Sequence, residues 1–81
     1  MNETTQTLDH LQRGQTATVM GLTSSGLNRR RLMDLGILPG TSIAIETISP
    51  LGDPVAYRVR GAVVALRRDQ ASEIQIHIRT E

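Results

Sequence analysis

Between residues 27 and 54 no regular element can run on for long. Leu27-Asn28-Arg29-Arg30-Arg31-Leu32-Met33-Asp34-Leu35 suits a helix, but Gly36 follows, then Ile37-Leu38 and Pro39-Gly40. Glycine takes the left-handed conformation that closes a helix. Pro39-Gly40 fits the central pair of a type II turn, where Pro presets φ and Gly takes the positive φ. A β-branched run from Ser42 to Ser49 comes next, and then Pro50-Leu51-Gly52-Asp53-Pro54. The two prolines deny ladder donors, so the run ends there and folds back over a tip at Leu51-Gly52-Asp53. The middle of the chain therefore reads as a short basic helix, a tight turn and a strand leading into a stiffened hairpin.

The flanking segments read as short strands. Thr16 to Leu22 carries Ala17 and Val19 on one face, and Gly21 marks a bulge or bend. In the run from Ser42, Ile43 and Ile45 share a face while Ile48 has the opposite parity, which a bulge after Ile45 would restore. Val55, Tyr57 and Val59 alternate, Gly61 breaks the pattern, and Ala62 to Leu66 is compact and apolar. Arg67 to Ser72 reads as one polar turn. Ile74, Ile76 and Ile78 then alternate with Gln75, His77 and Arg79, the pattern of a strand with one buried and one wet face. Leu8-Asp9-His10-Leu11 is a single turn with two apolar anchors, and residues 1–7 read as a disordered polar N-terminus. The expected fold is mainly β, a small SH3-like barrel of five to six strands over residues 8–79. One short helix, near Leu27 to Leu35, lies between the first two strands. Closure would hide the edges of such short bulged strands. The helical period of 100° per residue groups Leu27, Leu32 and Leu35. The expected core is Leu11, Val19, Leu32, Leu35, Ile43, Ile45, Val64, Leu66, Ile74 and Ile76.

Composition removes most function classes. Cysteine is absent, so no disulfide or thiolate metal site is available. His10 and His77 sit at no zinc spacing, and no ligand set suits iron, so no metal site is expected beyond adventitious binding at those two histidines. No catalytic constellation and no cofactor-binding loop is present. Tyr57 is the only aromatic residue, which leaves no stacking platform for single-stranded nucleic acid and no groove for proline-rich peptides. The net charge of +1 argues the same way for nucleic acid as a whole. No apolar run is long enough to enter a bilayer, and Met1 to His10 lacks the order of a signal peptide. A cytoplasmic protein is expected.

Two local conflicts point to a partner surface. Arg29, Arg30 and Arg31 lie toward the helix N-terminus and Asp34 toward its C-terminus, each opposing the helix dipole at about 0.3–1 kcal/mol. Arg30 and Asp34 could pair, in the weaker orientation. The alternative is that the arginine stems cover the core edge. At the hairpin, Leu51 stands on a tip stiffened by prolines, beside Gly52 and Asp53. It is either a docking knob or a lid over the barrel end. The candidate partner-binding residues are therefore Arg29, Arg30, Arg31, Leu51, Gly52 and Asp53.

Arg31-Leu32-Met33-Asp34-Leu35-Gly36-Ile37-Leu38-Pro39-Gly40 and Pro50-Leu51-Gly52-Asp53-Pro54 resemble the FeoA family. Gly14, Val19, and Gly61 with Val64-Ala65-Leu66-Arg67 extend the likeness from Leu8 to Ile78. The resemblance implies a non-enzymatic cytosolic accessory of ferrous iron uptake. Its implied partner is a FeoB-like membrane iron transporter bearing a GTPase domain. Similar domains also occur fused to iron-dependent repressors, so a regulatory module of such a repressor is the alternative. These 81 residues contain no winged-helix or GTPase segment, which favours the free-standing accessory. Anaerobic titration calorimetry with Fe(II) should show no site tighter than about micromolar. Such a site is worth about 8 kcal/mol and needs several organised ligands, so one tight stoichiometric site would contradict this reading.

Overall fold

The structure, a computed structural model, describes residues 5–79. Its elements are β1 (Gln6–Thr7), a 3-10 turn (Leu8–His10), β2 (Thr16–Leu22), α1 (Gly26–Asp34), β3 (Ser42–Ile48), β4 (Val55–Val59), β5 (Ala62–Leu66), α2 (Arg68–Ala71) and β6 (Ile74–Arg79). All six strands join one antiparallel sheet in the order β1-β6-β2-β3-β4-β5. The mainly β class stands. The expected closure of the barrel does not: Gln6 and Thr7 of β1 pair with Ile76 and Gln75 of β6, and among the described residues no strand bonds the far edge of β5. Gln6 and Thr7 were expected in the disordered start, but this pairing orders them, and α1 consequently falls between the second and third strands. Residues 1–4 lie outside the described segment. The polar turn after Leu66 contains the four-residue α2.

Both anticipated bulges are present, and they bend the sheet around its core. In β2 the register with β6 shifts between Val19 and Gly21, and in β3 the register with β4 shifts between Ile45 and Thr47. Gly21 packs against Gln75, whose Oε1 would lie 3.3 Å from an added Cβ. The bulge in β3 brings Ile48 back toward the interior, where Ile45 and Ile48 both pack on the buried residues.

The helix departs from expectation in how it packs. Leu32 is buried, but Leu27 is 83% exposed and Leu35 is 40% exposed. Five residues at 100° each put Leu27 about 140° around the helix from Leu32, too wide for one stripe on a thin core. Leu35 occupies the C-cap, and the core position expected for it goes to Ile37, which is fully buried. The turn that achieves this is a Schellman motif. The Gly36 N–H donates to the Met33 carbonyl at 3.0 Å, and the Ile37 N–H donates to the Leu32 carbonyl at 3.1 Å. Gly36 sits at φ +96°, as this closure requires. The chain then turns at Pro39-Gly40, where the Thr41 N–H donates to the Leu38 carbonyl at 3.0 Å.

The core joins Leu8, Leu11, Ala17, Val19, Leu32, Ile37 and Ile43 with Val55, Tyr57, Val59, Val64, Leu66, Ala71, Ile74 and Ile76. Loss of the single α1 anchor should be expensive. Leu32→Ala is expected to reduce stability by about 2–5 kcal/mol in urea unfolding. Leu27→Ala should stay within about 0.5 kcal/mol of the parent. A second test uses Tyr57, whose phenol burial pushes up to about 12, with Arg68 partly opposing. The chain has no lysine or cysteine, so no other side chain titrates between about pH 9 and 12. The unfolded chain loses this proton near pH 10.0 and the folded chain only near 12. Stability should be full below about pH 10 and fall as pH rises toward 12, because the folded state then holds more protons. Tyr57→Phe should flatten that fall in urea unfolding measured across the range.

Candidate functional site

The outward side of α1 joins apolar and basic groups that have no duty in the core. A groove of about 290 Å³ is lined by Leu27, Arg30, Arg31, Asp34 and Leu35. A neighbouring groove of about 430 Å³ is lined by Gly26, Arg29, Arg30, Met33 and Asp34. Arg29 turns back to the sheet, its Nη1 donating to the Leu22 carbonyl at 3.3 Å. The expected Arg30–Asp34 ion pair does not form. Among the described residues the only ion pair of an arginine joins Arg58 to Glu46, at 2.7 Å, and His10 Nδ1 lies 3.7 Å from Asp9 Oδ1. The geometry explains this, since Arg four residues before Asp is the weaker order on a helix. Arg30 and Arg31 thus stand beside exposed leucines, and among the described residues neither has an ion-pair partner. Leu35, which the sequence reading placed in the core, and Leu27, which it grouped on the same helical stripe, are both exposed and become functional candidates. Their angular distance from Leu32, and the second apolar choice at Ile37, were the signals that could have turned them outward.

At the hairpin the other three candidates divide by role. Leu51 is 94% exposed, so it does not close the end of the barrel. Gly52, at φ +89°, donates its N–H to the Ser49 carbonyl at 2.8 Å, and Ser49 Oγ donates to the Pro54 carbonyl at 2.6 Å. Asp53 has a structural duty that the sequence did not reveal. Its Oδ1 accepts the Arg68 N–H at 3.0 Å, at the first residue of α2, while Arg68 Nη1 donates to the Gly52 carbonyl at 3.5 Å. The tip is tied to α2 in this way, and α2 shares with α1 a groove of about 230 Å³ lined by Asn28, Leu32, Arg67, Asp69, Gln70 and Glu73. None of Arg29, Arg30 and Arg31 lines that groove, and among the described residues no hydrogen bond or ion pair joins them to the tip.

His10 and His77 are both exposed, on the 3-10 turn and on β6. Among the described residues no three His, Asp or Glu side chains come together in a way that could hold a metal ion. No helix among them is long and apolar enough to cross a membrane.

The FeoA domain family matches residues 6–78. The chain belongs to the FeoA domain family. A curated relative, the Fe(2+) transport protein A/Fe(2+) transporter FeoB fusion protein of Porphyromonas gingivalis, is 32% identical over 71 residues. That match covers 88% of this chain and 8% of the relative, so the chain spans a small part of that protein's length. The NMR structure of a FeoA-like protein from Clostridium acetobutylicum is 34% identical with a TM-score of 0.87, covering 100% of this chain and 93% of that one. A zinc-complexed FeoA from Stenotrophomonas maltophilia, described as a prokaryotic SH3 domain protein, is 27% identical with a TM-score of 0.74 over 86% of this chain and 87% of that one. The SH3-like class holds on this likeness, with the ladder open rather than closed. T. acidophilum IdeR is 21% identical with a TM-score of 0.82, covering 98% of this chain and 36% of that one, and shares the fold alone.

The two tip residues should separate in thermal unfolding. Leu51→Ala should leave stability within about 0.5 kcal/mol, having no packing to lose. Asp53→Ala should lower it by about 1 kcal/mol, because the Arg68 N–H loses its acceptor.

Proposed function

We propose that this FeoA domain is a non-enzymatic accessory of ferrous iron uptake that binds a FeoB-like transporter on its cytoplasmic side. The observation that carries this reading is the Porphyromonas gingivalis relative, in which the same domain is fused to FeoB. Fusion raises the effective concentration of two modules that work together. The surface that fits the task is the outer side of α1, with Leu27, Arg30 and Arg31, extended across α2 to Leu51. Interface energy concentrates in a few apolar or Arg anchors. Here those anchors stand on a helix closed at Gly36 and on a tip held by Arg68, so little ordering is needed on binding.

The test is binding of this domain to detergent-solubilised FeoB from the same genome. Leu27→Ala and Leu51→Ala should each weaken binding by about 1–3 kcal/mol. Arg30→Glu should mainly slow association, with an effect that shrinks as salt rises. Unchanged affinity per folded molecule in all three variants would remove this surface from the interface. Capture by an iron-dependent repressor in place of FeoB would favour the regulatory-module reading, which otherwise rests on fold likeness alone.

A further inference from the structure

Among the described residues β5 has one partner, β4, and its other edge is free. Which backbone groups face that edge follows from the hairpin. Arg60 and Gly61 form its two-residue loop, at φ 55° and 83°, and Val59 lies opposite Ala62. Such a loop with positive φ at both positions makes the flanking residues a hydrogen-bonded pair. Pairing then alternates, so Tyr57 with Val64 and Val55 with Leu66 also exchange bonds. Val63 and Ala65 therefore turn their N–H and C=O groups away from β4. Among the described residues no hydrogen bond reaches them. Their side chains lie on the outer face, where Val63 is 54% exposed and Ala65 is exposed.

An apolar edge of this kind is a template for another strand. Charge decides which strand. Two copies of β5 could pair antiparallel about Val64, placing Val63 opposite the second copy's Ala65. That register brings Arg60, in the loop before one β5, toward Arg67 and Arg68, which follow the end of the other, so like charges gather at both ends of the pair. Arginines at both ends of the edge, Arg60 on one side and Arg67 with Arg68 on the other, thus oppose self-pairing and attract carboxylates. We propose that the β5 edge receives an extended, acid-flanked partner segment, which adds a strand through the backbone groups of Val63 and Ala65. This surface is distinct from α1, and its test uses no FeoB, so it stands or falls apart from the transporter reading.

Amide hydrogen exchange followed by NMR on the 15N-labelled chain tests it directly. The probe is the blocked peptide Glu-Asp-Thr-Val-Thr-Val-Thr-Asp-Glu, with a control that keeps the centre and carries Lys-Arg and Arg-Lys ends. At saturating acidic peptide the Val63 and Ala65 amides should slow by roughly tenfold or more, while those of Val64 and Leu66, already in the ladder, change little. The basic peptide should have no effect. Val63→Pro removes one outward donor and should abolish the protection, with unchanged β2 and β6 signals reporting an intact fold. Should that variant fail to fold, the double variant Arg60→Glu/Arg67→Glu leaves the ladder intact and should transfer the preference to the basic peptide. No slowing, or equal slowing by both peptides, would overturn the proposal. So would protection of these two amides in the free chain that grows with protein concentration, which would assign the edge to a second copy.

Discussion

The Pro39-Gly40 turn, which ends the excursion from Leu22 to Thr41, is fastened to the sheet at one residue, Val19. Its N–H donates to the Thr41 carbonyl at 2.8 Å, and its carbonyl accepts the Gly40 N–H at 2.7 Å. The same residue lies opposite Ile76 in the β2–β6 ladder, with its side chain fully buried. A single backbone position thus pins the Pro39-Gly40 turn to the centre of the sheet. With the turn fixed there, Leu32 and Ile37 reach the core from opposite sides of Gly36, and α1 needs no second anchor. The rest of the helix surface is released from packing, which is why apolar and basic groups can stand together on it.

A core without Phe or Trp has little area to spare, and the structure meets that limit by bending. The bulges at Val19/Gly21 and Ile45/Thr47 turn a six-stranded ladder around one small aliphatic interior. Tyr57 supplies the one large ring, and α2 covers the interior with Ala71. Through Arg68, α2 also holds the hairpin tip. Stability and surface are coupled at this point, because the element that carries Leu51 outward is fastened by a contact that belongs to the fold. Among the described residues the outer edge of β5 is left uncovered, because Gln6 and Thr7 of β1 pair with β6 instead.

What the sequence disclosed depended on the length of the pattern. The alternation of Ile74, Ile76 and Ile78 spans a whole strand and placed β6 correctly, and the parity break after Ile45 marked a real bulge. Gly36 and Pro39-Gly40 were legible because each demands a particular backbone geometry. Gln6–Thr7 were not, since two residues have no period. Ile37 follows the glycine and lies outside any regular element, so the helical stripe claimed Leu35 in its place. Among the candidate residues, the position of Leu51 between prolines left a docking knob and a lid both open, and its exposure decides against the lid. The bond from Arg68 to Asp53 joins residues 15 apart and depends on how α2 folds back, which no local pattern encodes.

The central claim is that the surface released by this closure, the outer side of α1 with the tied hairpin tip, is where the transporter binds. The most direct measurement is a hydrogen–deuterium exchange footprint of the chain with and without detergent-solubilised FeoB. The expected result is slowed exchange over residues 27–35 and 49–54, with the β2–β6 ladder unchanged. Slowing confined to β2 and β6, with α1 and the tip unaffected, would contradict it.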